Sequence, residues 1–192
     1  MIRLHWHRMT ICLDFSFFAV AAWIALLGGE RLFWEILFAC LLHELGHLIA
    51  MVCFRRRVKL LTFCGAGVTI QPEGDYAAYW QDQIILLAGP LANLCFGSVL
   101  LAIQGECELG ILHLGLGFFN LMPYSHLDGG SILYTALSAM DLLPDRIEYI
   151  RNGISLCFSV GLFCVAFVFG IRNISLYGMV LYLLLLQFLS KK

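Results

Sequence analysis

The residues best suited to chemistry are His43-Glu44-Leu45-Gly46-His47, set inside a long apolar run. On a helix, positions i and i+4 project from one face a turn apart, so both imidazoles can reach one zinc ion. The glutamate beside the first histidine is then placed to take a proton from water on the metal. Outside a membrane such a pattern recurs by chance. Here it lies between ILFACLL and LIAMVCF, where ionisable groups are costly and mark function. The structural alternative is a polar helix–helix contact, with Gly46 allowing close approach. A catalytic zinc usually has three protein ligands and one open position. The candidate third ligand is Asp128, in Asn120-Leu-Met-Pro123-Tyr-Ser-His126-Leu-Asp128-Gly129-Gly130. At 1.5 Å per residue, His47 and His43 lie about 12 and 18 Å from Arg55, and Asp128 about 20 Å from Asp141. The depths match, so one ion could join the two segments.

The elements that carry these residues are apolar throughout. Of 192 residues, 61% are hydrophobic and 13% charged, against roughly 45–50% and about 25% in a soluble domain. That charge is too little to cover a water-facing surface, and the hydrophobicity excludes disorder. A net charge of −1 with twelve basic residues argues against a nucleic-acid partner. The expected fold is all-α and polytopic, one membrane-embedded domain over 1–192. Six apolar runs, 10–29, 33–54, 83–103, 109–139 (interrupted), 154–171 and 173–190, predict about six transmembrane helices. Between the second and third, LLTFCGAGVTIQPEGD (60–75) is too short to span and combines β-branched residues with Gly and Pro. It predicts a short β-hairpin or re-entrant strand.

Orientation follows from the basic residues. With six spans, Arg3, Arg8, Arg55, Arg56, Arg57, Lys59, Arg146, Arg151, Lys191 and Lys192 fall on one side, and Arg31 and Arg172 on the other. Both termini are therefore expected in the cytoplasm, with the first run a retained anchor. The eight cysteines form no CxxC pair and read as buried single thiols, Cys40 lying on the face of His43. His5 and His7 read as interfacial, His113 as a polar packing contact, and Asp14 as a charge snorkelling from the first span.

Taken together, HELGH in one span and NxxPxxxLDGG two spans later resemble the site-2 proteases, zinc metalloproteases that cut within membranes. Gly89-Pro90-Leu91-Ala92-Asn93 is similar to that family's GPxxN element. The layout, lacking PDZ and CBS domains, looks most like the bacterial sporulation-type branch. The resemblance implies that His43, His47 and Asp128 ligate one zinc per chain and that Glu44 is the general base and later proton donor. It implies that Asn120 stabilises the oxyanion or holds the substrate backbone, a role that an amide donor near the metal suits. Asn93 reads as a hydrogen bond between spans. Pro123 and the double glycine are expected to break the fourth helix and leave backbone groups for a substrate. Where many relatives have a second proline, this chain has His126, which could line a water path, support a ligand or titrate near neutrality.

The implied substrate is a membrane-anchored protein, cleaved in or near its transmembrane segment at a site open to the cytoplasm. The lipid bilayer is the other expected partner, and a regulatory membrane partner is left open. Two other readings stand beside this one: a metal transporter using the same ligands, and a catalytically silent relative that binds membrane proteins.

Overall fold

The computed structural model describes residues 2–6, 9–64, 67–72, 78–170 and 174–189. His7, Arg8, Arg172, Lys191 and Lys192 lie outside the described residues. The chain divides into two compact units, one of residues 1–77 and 88–117, the other of 78–87 and 118–192.

In the first unit, strands β1 (Ile2–Trp6) and β2 (Met9–Leu13) precede α1 (Phe15–Cys53), and β3 (Val58–Cys64) and β4 (Gly67–Pro72) follow it. The sheet order is β1-β2-β3-β4, with β2 and β3 parallel and the outer pairs antiparallel. The hairpin expected over 60–75 is β3–β4. The first apolar run, by contrast, does not begin as a helix. Residues 9–13 are a strand, and the parallel pairing of β2 with β3 needs the long crossover that α1 supplies. Asp14 lies just before α1 rather than within a span: its carboxylate accepts from the Ser16 N–H at 3.2 Å and caps the helix.

The first two expected spans are one 39-residue helix interrupted at Gly29, where φ is 75° and ψ 170°. That backbone is costly for any residue with a Cβ. The remainder of the first unit is residues 88–104 of α2 (Tyr79–Gln104) and 108–117 of α3 (Glu108–Asn120). Small residues let these helices approach closely. A Cβ on Gly46 would stand 2.5 Å from the Ala88 carbonyl oxygen, and one on Gly97 2.8 Å from that of Gly110.

The second unit holds the start of α2, the end of α3, and α4 (Asp128–Ser138), α5 (Pro144–Val168) and α6 (Ile174–Leu189). Six helices are described, of which α1, α2 and α5 are long and apolar enough to cross a membrane. The run 109–139 is divided, as its interruption suggested, into α3 and α4. The double glycine, however, lies inside the first turn of α4 rather than in the break. A Cβ on Gly129 would meet the Leu121 carbonyl oxygen at 2.1 Å, and one on Gly130 that of Tyr124 at 2.0 Å. These glycines make room for the connecting backbone.

Side-chain placement is inverted relative to a soluble protein. Leu26, Phe167 and Val168 are about four-fifths exposed, whereas Asn93, His113 and Ser155 are fully buried. An apolar exterior around buried polar groups suits hydrocarbon as solvent. All eight cysteines are free, as expected, but only Cys12 is buried. Cys53, Cys95, Cys157 and Cys164 lie on exposed helix faces, because a thiol carries no penalty against an apolar surround.

Candidate metal centre

The histidines of the first unit converge where the helical spacing sends them. On α1 the Nε2 atoms of His43 and His47 are 3.1 Å apart, with both rings buried. Tetrahedral zinc with nitrogens at about 2.0–2.1 Å separates two ligands by about 3.3 Å. The pair therefore fits one ion with little adjustment. Glu44, on the same turn, is half-buried, as is Cys40.

Two features of α2 hold the rings. Gly89 presents backbone to His47: a Cβ there would lie 2.2 Å from Nε2, so any larger residue would displace the imidazole. Asn93, 0% exposed, places Nδ2 3.4 Å from His43 Nδ1 and Oδ1 3.0 Å from His113 Nδ1. Asn93 thus bonds between helices as its sequence position suggested. His113 packs against Phe38 and Phe96, with ring centroids 5.4 and 4.6 Å away, but it is also bonded into the group behind His43. Nothing in the spacing of His113 from the HELGH run announced that link. The GPxxN glycine did carry a signal, since a glycine that aligns with a helix–helix face marks close approach.

In the second unit, α3 ends at Asn120, which is half-buried, and Asp128 opens α4. A carboxylate in a first helical turn is favoured by the N-terminal end of the helix dipole. The intervening segment is anchored by its own polar network. The Ser155 hydroxyl donates to the Pro123 carbonyl, and Tyr124, 0% exposed, shares a 2.7 Å bond with Ser159. Gln187 on α6 donates to Asn152 Oδ1 at 2.6 Å and to Ser155 Oγ at 3.1 Å. His126 is exposed. The Tyr124 network was not foreseen, because serines and glutamines in apolar helices give no partner by spacing alone.

Comparison with known proteins defines the class. Residues 32–109, which contain His43–His47 and Gly89–Asn93, match the model of Peptidase family M50. The chain is 30% identical over 169 residues to Stage IV sporulation protein FB of Bacillus subtilis, covering 80% of this chain and 56% of that protein. It is 31% identical over 110 residues to the putative zinc metalloprotease sll0528 of Synechocystis, covering 51% of this chain and 29% of the relative. With zinc metalloprotease MJ0392 of Methanocaldococcus jannaschii the identity is 32% over 127 residues, covering 57% of this chain and 37% of the relative. The chain thus spans from under a third to just over half of these relatives' lengths. Among solved structures, the site-2 protease from Methanocaldococcus jannaschii matches with a TM-score of 0.66 at 23% identity, covering all of this chain and 95% of that one. The fold is that of a site-2 protease, and the chain is related to Peptidase family M50.

Proposed function

We propose that this chain is an intramembrane zinc metalloprotease that hydrolyses peptide bonds in or near the transmembrane segments of membrane-anchored proteins. The observation that carries the reading is the buried His43–His47 pair, Nε2 to Nε2 3.1 Å, on one turn of an apolar helix with Glu44 between them. The third ligand in this reading is Asp128. In this reading His43 and His47 supply two nitrogens and Asp128 a carboxylate oxygen, donor types that together can hold a metal ion. Two imidazoles and a carboxylate suit zinc, and a relation to zinc metalloproteases points the same way.

Bound zinc would supply Lewis acidity and lower the pKa of a coordinated water. Glu44 accepts the proton of the attacking water and returns it to the leaving amine. The Asn120 amide donates to the oxygen on which negative charge develops. A helical substrate must unwind before attack, and β4, an edge strand of the sheet, offers backbone for the extended chain to pair with. The whole of residues 1–192 acts as one multi-pass membrane domain of about six spans, with both termini and the opening of the site on the cytoplasmic side. The ten-to-two distribution of basic residues supports that orientation.

Glu44→Gln separates the readings. A protease loses cleavage and keeps zinc, while a transporter or a silent binding protein is little changed. Proteomics of membrane fragments from cells carrying wild type or Glu44→Gln should show products confined to the wild type. Identical fragments in both would overturn the assignment.

A further inference from the structure

Behind His43 lies a closed set of polar groups that the proposed reaction does not use. Asn93 stands between two rings, Nδ2 3.4 Å from His43 Nδ1 and Oδ1 3.0 Å from His113 Nδ1. Asn93 and His113 are fully buried and His43 is 6% exposed, all within the first compact unit. An amide accepts at one end and donates at the other. The protonation pattern of one ring therefore dictates that of the other. If His43 carries its proton on Nδ1, Asn93 must turn its oxygen to it. The amide NH2 then faces His113 Nδ1, which must be bare, with the His113 proton on Nε2.

From this arrangement we infer that His113 is a positioning residue that acts through Asn93 to set the tautomer of His43. The inference rests on the metal reading above. An imidazole offering Nε2 to a metal keeps its proton on Nδ1 and needs an acceptor there. Turned by a half-turn from the orientation above, in which Nδ2 faces His43 and Oδ1 faces His113, Asn93 presents Oδ1 as that acceptor and its NH2 donates to His113 Nδ1. The amide is nearly symmetric in shape, so a half-turn exchanges both bonds without repacking. Each ring keeps one proton in either arrangement, so the change puts no net charge into the buried interior. His113 Nε2 has no hydrogen-bond partner among the described residues. The rings of Phe38 and Phe96 pack beside His113, with centroids 5.4 and 4.6 Å away. A purely apolar residue at 113 would pack there equally well but strand one end of a buried amide.

The test is zinc affinity of the full chain in detergent, by chelator competition, for wild type, Asn93→Ala, His113→Phe, Asn93→Asp and the Asn93→Asp/His113→Phe double variant. Asn93→Ala should weaken zinc about 10–100-fold, the range for groups directly behind ligands. His113→Phe should weaken it several-fold in the Asn93 protein, an effect set by the same backing bond. In the Asn93→Asp protein, His113→Phe should change nothing further, because a carboxylate accepts from His43 without being turned. An equal loss in both backgrounds overturns the inference and leaves His113 a packing residue. Nitrogen-15 spectra of zinc-loaded wild type, which need no variant to fold, should place the His113 proton on Nε2, and a proton on Nδ1 overturns the inference. Wild type that binds no zinc would bring down the metal reading itself, and with it this inference, before any variant is compared.

Discussion

Each unit buries a polar cluster inside an apolar exterior, and the two clusters are built from different groups. In the first, His43, His47, Asn93 and His113 bring ring nitrogens and an amide together. Imidazole nitrogens can change tautomer or ligate, so this cluster has chemistry left to do. In the second, Tyr124, Ser155, Ser159, Asn152 and Gln187 are hydroxyls and amides spent on backbone carbonyls and on each other. None of these is a usual ligand for zinc. The difference teaches that a buried polar group in an apolar helix is a functional signal only when its type can act. Otherwise it is a staple, here holding the segment between α3 and α4 to α5.

If that contrast is right, substitutions in the two clusters should fail differently. The largest effect belongs to His47→Ala, which removes one of the proposed ligands outright. Zinc affinity should fall by more than the 10–100-fold typical of supporting groups, with cleavage abolished, as read by metal analysis and a fragment assay. Next is Gly89→Ala, whose new Cβ would fall 2.2 Å from His47 Nε2. Overpacking of this kind costs about 1–3 kcal/mol, and here the shifted ring should also weaken zinc, measured by unfolding in detergent and by chelator competition. Ser159→Ala strands the buried Tyr124 hydroxyl and should cost about 1–3 kcal/mol in the same unfolding measurement. Zinc affinity should stay within twofold of wild type, roughly the scatter of distant substitutions. A larger zinc loss would show that the second cluster is not merely a staple. The smallest effect is expected at Arg31, whose own side chain is exposed where it pairs with Glu35 at 2.8 Å and with the exposed Glu108 at 3.0 Å, so that solvent screens it. Arg31→Ala should leave the melting temperature and zinc binding unchanged.

Much of the site was legible because it depends on local periodicity. An i,i+4 histidine pair on a helix converges whatever else the chain does, and the β3–β4 hairpin followed from β-branched residues among glycines. The same local reading misled at the N-terminus. Residues 9–13 are as apolar as a span, and only the availability of β3 as a parallel neighbour makes them a strand. Gly129 and Gly130 read as helix breakers, yet they sit in a helix whose approach to the Leu121 and Tyr124 carbonyls excludes a Cβ. His113 read as packing, since a sequence does not say that Asn93 stands between it and His43.

The amino-acid order alone determined which atoms were available: two imidazoles and a glutamate on one turn, and apolar faces that bind the chain to lipid. Helix pitch and the cost of burying polar groups are local and general, so residue types suffice to apply them. Only the tertiary structure decided what stands behind each ring, where Gly89 clears space for His47 and Asn93 joins His43 to His113. Those are contacts between residues tens of positions apart, and they depend on how closely the helices approach.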